Sequence, residues 1–425
     1  MNLVEELRWR ELLHDAMPGT DELLMKEKVK GYVGFDPTAD SLHVGNLVPV
    51  TLLMHLQRAG HFPIALVGGA TGLIGDPSGK TAERNLLSVD LIQHNLDCQK
   101  RQLEQFLDFN SSINPAKILN NYDWFKDWNF LAFIRDIGKH ISVNYMMAKD
   151  SVKNRLENGM SFTEFSYQLI QGYDFYYLYK NHGVKLQMGG SDQWGNITTG
   201  TELIRRIDGG EAYALTAPLL KKADGSKFGK SESGNVWLDA NKTSPYKFYQ
   251  FWLNIADEDA KRFVKIFTFS SQEEINQLIE QHHQAPHLRL LQKYIATDVT
   301  KRIHGENQLL TALKASEILF GNASIEMIKS LDDAAFTEVF EGVPGSEVAK
   351  TELEAGIPII ELLADKTGIF PSRGEARKMI QAGAVAINLS KIDNIESVIN
   401  TDFLINRQYI LVQKGKKNKY LIQVV

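Results

Sequence analysis

Several short stretches of this sequence bring together residue types suited to binding an anion or a polar small molecule. His43-Val-Gly45-Asn46 follows a turn, Gly34-Phe-Asp36-Pro-Thr38, and precedes a helical pattern with Pro49 near its first turn, where proline is tolerated. The first turn of such a helix offers unpaired N–H groups and a positive dipole end to a phosphate, and His43 and Thr38 could donate to the same anion. The His-x-Gly pattern alone is weak. With 11 His and 32 Gly in 425 residues, about one His-x-Gly arises by chance, so the neighbouring turn and helix carry the reading.

Two lysine-bearing glycine segments, Gly75 to Thr81 and Gly225 to Ser231, resemble a Walker A loop but hold three residues between their glycines where that loop needs four. A P-loop nucleotidase is disfavoured on that spacing. Lysines beside glycine can still reach phosphate from an adaptable backbone, which makes Lys227 and Lys230 candidates; the alternative is a solvated basic loop. Between Thr163 and Lys180 the only charges are Glu164, Asp174 and Lys180, so this helix is expected to be buried. Tyr167, Gln171 and Asp174 share one face of it at i, i+4 and i+7. Buried polar groups need partners, supplied either by a ligand or by an internal network. Gly189 to Asn196 follows a strand-like run and puts Asp192 and Gln193 at a strand's carboxyl end, where an Asp suits a ribose hydroxyl and a plain connecting loop is the alternative.

The elements that must position these groups are legible in outline. Val29 to Phe35, Ile64 to Gly69 and Val184 to Gly189 read as buried strands, and Ser88 to Leu107 as a helix with Ile92, Leu96, Leu103 and Leu107 on one face. Their alternation through about residue 220 predicts an α/β fold with a parallel sheet. From 244 to 320 the pattern turns helical, with Ser271 to Ile279 and Leu288 to Ile303 the clearest pieces. Residues 321–356 carry two Lys/Arg against eight Asp/Glu and are punctuated by Gly342, Pro344, Gly345 and Gly356, so they read as an acidic linker. The segment 357–425 reverses the balance, with ten Lys/Arg against six Asp/Glu. It opens with Ser372 and Glu375 at capping-box spacing, then offers strands at Val385 to Ile387 and Ile410 to Val412 and a basic hairpin tip before Tyr420 to Val425. The expected organisation is a Rossmann-like catalytic domain over 1–243, a helical domain over 244–320, the linker, and a small α+β domain over 357–425.

Composition narrows the class. At 43% hydrophobic and 23% charged, the chain has ordinary globular usage, and its net charge of −5 does not by itself advertise nucleic-acid binding. Cys98 stands alone, which excludes an intramolecular disulfide and a cysteine-built zinc site. No apolar run approaches the roughly 20 residues needed to span a bilayer, and the charged N-terminus is unlike a signal peptide, so the cytoplasm is expected.

Taken together, the motifs resemble those of the bacterial tyrosyl-tRNA synthetases, class I aminoacyl-tRNA synthetases, nearly end to end. Tyr32-Val-Gly-Phe-Asp-Pro-Thr38 leading into His43-Val-Gly-Asn46 resembles the family's HIGH region, and Lys227-Phe-Gly-Lys-Ser231 its KMSKS loop. Gly68 to Asp76, Phe162 to Tyr167 and Gly189 to Asn196 follow in the family's order, and the tail resembles a small RNA-binding domain first recognised in a ribosomal small-subunit protein. The resemblance implies roles. Tyr32 and Asp174 would read the substrate phenol; Asp76, Tyr167 and Gln171 would hold its ammonium, with Gln193 near its carboxylate. Gly34 and Asp192 would lie beside the ribose of ATP, with Asp36, Gly45 and Asn46 also on the ATP side. Thr38, His43, Lys80, Arg84, Lys227 and Lys230 would surround the leaving phosphates. The basic charge of the tail itself predicts RNA contact through Arg373, Arg377, Lys378, Lys414, Lys416 and Lys417.

The implied reaction is activation of L-tyrosine by ATP, with Mg²⁺ accompanying the nucleotide and no tightly bound cofactor or protein-held metal, followed by transfer to the cognate tRNA by a homodimer. Two positions depart from the pattern: Asn46 replaces the final His of HIGH, and Val33 stands where some relatives carry Cys. An Asn amide can donate to a ribose oxygen, whereas valine cannot. The rivals are a tryptophanyl synthetase, against which the Tyr32–Asp174 pair speaks, and an RNA-binding protein that kept the scaffold without catalysis, against which His43, Lys227 and Lys230 speak.

Overall fold

The computed structural model describes residues 2–78, 86–149, 152–153, 159–231, 234–320, 324–331, 336–337, 339–340, 343–415 and 418–425. They form two compact units, Met1–Thr243 with Phe251–Val299, and Ser244–Gln250 with Thr300–Val425.

The first unit is built on a sheet of strands β1 (Asp15–Ala16), β2 (Lys30–Phe35), β3 (Phe62–Val67), β4 (Lys117–Asn120), β5 (Val184–Gly190) and β6 (Tyr213–Ala217), in the order β1-β6-β5-β2-β3-β4. All pairings are parallel except that of the short edge strand β1. Strands such as Phe-Pro-Ile-Ala-Leu-Val are apolar almost throughout because both faces of a parallel sheet are covered, and β3 is buried from Pro63 to Val67. The chain runs outward from β2 through β3 to β4, then returns to place β5 on the other side of β2. The carboxyl ends of β2 and β5 therefore flank a topological switch point, the crevice in which such sheets bind ligands.

Helix Val89–Leu103 is capped by the Ser88 hydroxyl and buries Ile92, Leu96 and Leu103. It ends before the expected Leu107, which is nevertheless buried in the following turn. Helix Phe162–His182 starts where the Ser161 hydroxyl accepts from the Glu164 N–H and stops at Gly183 in the left-handed conformation. It lies against helix Trp194–Asp208 over a core that includes Phe175, Leu178, Leu203 and Ile204.

After the sheet come helices Asp257–Phe267 and Gln272–Gln284, the second opened by a capping box between Ser271 and Glu274. Arg10, 2% exposed, ties the N-terminus to the first of them, donating to the carbonyls of Lys265, Thr268 and Ser270 at 2.7 Å each and pairing with Glu6 at 2.6 Å. The expected helical region 244–320 is helical, but its contacts divide: 251–299 belongs to the first unit, and 244–250 and 300–320 to the second. Gly305 (φ 85°, ψ 168°) interrupts the helix Leu290–Phe320 near that division.

The second unit holds β9 (Gly345–Val348), β11 (Val385–Ile387), β12 (Ser390–Lys391), β14 (Tyr409–Lys414) and β15 (Asn418–Val424) in the order β12-β11-β14-β15-β9, with a separate pair β10 (Ile357–Pro358) and β13 (Val398–Ile399). The two remaining strands, β7 (Lys230–Ser231) and β8 (Gly234–Asn235), pair in the first unit. Residues 321–356, expected as a linker, differ from that reading. Strand β9 pairs in parallel with β15, helix Lys350–Ala355 buries Leu353, and Phe336, Val339 and Phe340 pack with Ile405 and Leu411. The described acids Glu326, Glu347, Glu352 and Glu354 are exposed, while the sparse apolar residues of the stretch are enough to anchor it. Of the capping box expected at Ser372, the half in which the Glu375 N–H donates to the Ser372 hydroxyl forms, and the Glu375 carboxylate lies 3.5 Å from the Lys414 ammonium.

Candidate functional site

Tyr32 leaves β2 on the side of helix Phe162–His182, where its ring meets Phe175 edge-on at 5.4 Å. It is 1% exposed, and among the described residues its hydroxyl has no hydrogen-bond partner. Burial, and then the nearby Asp174, hold that phenol well above its ordinary pKa. Asp174 is 2% exposed. Its two oxygens accept from Asn121 Nδ2 at 3.0 Å and Trp124 Nε1 at 2.9 Å. Desolvation still raises its carboxyl to about 8 despite those two donors. An unpartnered buried hydroxyl beside a buried carboxyl is costly, and a ligand hydroxyl that both donates and accepts would satisfy both groups.

One turn or two along the same helix, Tyr167 donates to Asp36 Oδ2 at 2.8 Å, and Asp36 Oδ1 accepts from the Thr71 hydroxyl at 2.7 Å. Gln171 accepts from Asn196 Nδ2 at 3.0 Å. Asp76 accepts from the Ser78 N–H at 2.9 Å and from Gln193 Nε2 at 2.7 Å. The expected set Tyr32, Asp76, Tyr167, Gln171, Asp174 and Gln193 thus converges from β2, the loop after β3, helix Phe162–His182 and the end of β5. Asp192 sits in the 3-10 turn Ser191–Gln193 that ends β5. Gly34 is exposed, and a Cβ there would meet nothing within 4 Å.

His43 caps the turn Val44–Asn46: its Nδ1 accepts from the Gly45 N–H at 3.0 Å, and its own N–H donates to Asn46 Oδ1 at 2.9 Å. In the neutral ring this leaves the proton on Nε2, the donor an anion needs. A Cβ on Gly45 would lie 2.7 Å from the imidazole, so glycine is required for the cap. Asn46 spends its amide oxygen on the cap and keeps its NH₂ as a donor. Thr38 is exposed, with its N–H donating to the Asp36 carbonyl at 2.8 Å.

The lysine loop is stitched to this turn by backbone. Val44 N donates to Val236 O at 2.9 Å, Leu238 N to Leu42 O at 2.8 Å, and Val236 N to Gly229 O at 3.1 Å. Gly229 (φ 89°) comes so close to Gly45 that a Cβ would lie 3.2 Å from the Gly45 nitrogen. Phe228 fills an aromatic cluster with Trp252, Phe263 and Phe267, while Asp259 accepts from the Ala223 N–H at 2.9 Å and Arg262 donates to the Lys221 carbonyl. Between these anchors Lys227 is exposed, and the backbone of Lys230 pairs with Asn235. Lys80 and Arg84 lie outside the described residues, as do Lys416, Lys417 and the side chain of Lys230.

On the basic unit Arg377 and Lys378 are exposed along helix Arg373–Gln381. Arg373 pairs with Asp365 at 2.6 Å. Lys414 is turned inward, donating to the Ile369 carbonyl at 3.1 Å and lying 4.2 Å from the Phe370 ring centroid. Sequence reasoning did not single out Asn121, Trp124, Thr71, Ser78 or Asn196. The Asn120-Asn121 pair at the carboxyl end of β4 was the signal for the first; nothing local marks Trp124, which reaches the site only through the fold.

A family model of the class I tRNA synthetases for tryptophan and tyrosine matches residues 24–321, and one of the tyrosine–tRNA ligase SYY-like C-terminal domain matches 335–422. The tyrosine–tRNA ligase of Porphyromonas gingivalis strain W83 is 60% identical over 100% of both chains, and that of Bacteroides fragilis strain NCTC 9343 is 59% identical over 99% of both. A C-terminally truncated mitochondrial tyrosyl-tRNA synthetase of Aspergillus nidulans, a solved structure, superposes with a TM-score of 0.68 at 31% identity over 75% of this chain and 94% of that one. The buried Tyr32 and Asp174 beside the switch point of a parallel sheet and a lysine loop sewn to a His-x-Gly turn accord with these matches, and the chain belongs to the bacterial-type tyrosyl-tRNA synthetases of class I.

Proposed function

We propose that this chain is a tyrosine–tRNA ligase: it joins L-tyrosine to ATP as tyrosyl-adenylate, releasing pyrophosphate, and passes the tyrosyl group to the terminal ribose of its tRNA. The observation that carries the reading is the buried Tyr32 hydroxyl, without a partner among the described residues, beside Asp174. A substrate phenol can donate to the carboxyl and accept from Tyr32 at once. An indole N–H could only donate, leaving Tyr32 unsatisfied, so the pair favours tyrosine over tryptophan.

Asp76, Tyr167 and Gln171 are assigned to the substrate ammonium and Gln193 to the neighbourhood of its carboxylate. That carboxylate is already ionised at neutral pH and attacks the α-phosphorus without a general base; the bond to the pyrophosphate oxygen breaks as the new one forms. What the protein must supply is alignment and positive charge where pyrophosphate departs. His43, Thr38, Lys80, Arg84, Lys227 and Lys230 are assigned to that task, and Gly34, Asp36, Gly45, Asn46 and Asp192 to the nucleoside side of ATP. ATP enters with Mg²⁺, whose hard-ligand preference the triphosphate oxygens satisfy. Arg373, Arg377, Lys378 and the Lys414 to Lys417 region are assigned to tRNA. The cytoplasm suits a protein whose substrate is tRNA; among the described residues no helix is long and apolar enough to cross a membrane.

A homodimer is supported by the exposed apolar side chains Phe130, Leu131, Val143 and Phe162, each at least 60% exposed, which a second copy would cover. Sedimentation should give twice the chain mass of 47.9 kDa; a single-chain mass at micromolar concentration contradicts it. For the activity itself, pyrophosphate–ATP exchange measured with each of the twenty amino acids should occur with tyrosine alone. Exchange with tryptophan instead, or with none, overturns the reading.

A further inference from the structure

Asn196, in the first turn of helix Trp194–Asp208, is 2% exposed. Its Nδ2 faces three oxygens on three different segments: Gln171 Oε1 at 3.0 Å, Gln193 Oε1 at 3.3 Å and Ser78 Oγ at 3.3 Å. A glutamine amide is nearly symmetric in shape and reverses its hydrogen-bonding sense when it flips. A buried donor shared between two amide oxygens fixes both flips at once. With its oxygen held by Asn196, Gln193 has only its NH₂ to offer Asp76, and it donates there at 2.7 Å. Gln171 keeps its oxygen on the side of the network, where the second lone pair can accept from an ammonium.

We infer that Asn196 is a positioning residue for tyrosine binding, setting the polarity of Gln171 and Gln193 so that one presents an acceptor and the other a donor around Asp76. The inference rests on the assignment of those three groups to the amino-acid end of the substrate. The hydroxyl of Ser78 joins the same donor, so the start of the segment that leads toward Lys80 is registered against the amino-acid subsite.

Asn196→Asp tests this with little change of shape. A carboxylate has no donor and attracts NH₂ groups, so both glutamines should flip, turning an acceptor toward Asp76 and withdrawing the Gln171 oxygen. In tyrosine-dependent pyrophosphate exchange by the full-length protein, N196D should raise KM for tyrosine by about tenfold or more, as expected when charge-assisted contacts are lost. The KM for ATP should change by less than threefold. The KM defect should shrink as the pH is lowered from 8 to 6, because a protonated carboxyl regains a donor. Asn196→Ser, which keeps one donor, should lie between wild type and N196D, and thermal melting of each variant identifies loss of fold. An N196D protein that melts like wild type with unchanged KM for tyrosine overturns the inference. So does a defect identical in N196D and N196S and independent of pH, which would reflect packing alone. If the wild-type protein itself shows no exchange with tyrosine, the functional assignment fails instead, and the two failures are distinct.

Discussion

Asp174 is a carboxyl whose surroundings work against its charge. Burial lifts it to about 8 from an ordinary value of 3.8, although Asn121 and Trp124 each donate to it. The sign follows from linkage: the folded protein holds a proton that the unfolded chain has released, so this contribution to stability is complete below about pH 4 and drains away as the pH rises toward 8. In the absence of tyrosine, Asp174→Asn should therefore lose less stability than wild type between pH 5 and 8, by an amount on the order of a few kcal/mol. Parallel melting profiles for the two proteins across that range would contradict it. The same residue should set selectivity, since a phenylalanine ring would leave both Tyr32 and Asp174 without their hydroxyl partner. Asp174→Ala should cut the tyrosine-to-phenylalanine ratio of kcat/KM by roughly 10- to 100-fold, and an unchanged ratio would refute the pocket assignment.

Among elements, the His43 turn and the lysine loop behave as one piece because 236–238 runs beside 42–44 and Gly229 touches Gly45. Gly229→Ala adds a methyl group at φ 89° and within 3.2 Å of backbone, so it must displace one segment from the other. Adenylate formation should slow at least about tenfold, since small displacements of aligned groups are costly, while tyrosine affinity measured at equilibrium stays within about twofold; a normal single-turnover rate would rule this out. Much of this level was readable in advance. Strands β2, β3 and β5 carry continuous apolar runs, and the helix bearing Tyr167, Gln171 and Asp174 was identified by its scarcity of charge and the spacing of its polar residues. What escaped was whatever depended on distant chain. Trp124 follows β4, a short half-buried strand with no periodic signal, and its role exists only because Asp174, fifty residues on, lies opposite. The stretch 321–356 looked like a linker because composition records its many acids and not the parallel partner that its strand finds in Leu421–Val424.

At the scale of the whole molecule, the proposed assignment puts amino-acid activation at the switch point of the parallel sheet and gives the basic unit a part in tRNA binding. Reversing the exposed charges Arg377→Glu and Lys378→Glu should raise KM for tRNA about tenfold or more and flatten its salt dependence, leaving tyrosine-dependent pyrophosphate exchange as it was. A fall in exchange, or tRNA kinetics indistinguishable from wild type, would count against that division. Truncation at 357 is a poorer probe of the same idea, because it would strip β9 from β15 and uncover Phe336 and Phe340. That parallel pairing also sets an order of events at the ribosome. Gly345–Val348 emerges before the segment 421–424 that completes its ladder has been translated, so until then its N–H and C=O groups form an open edge available to other nascent chains. The unit cannot close its sheet strand by strand as it is made; it must wait for Leu421–Val424 and then assemble around it.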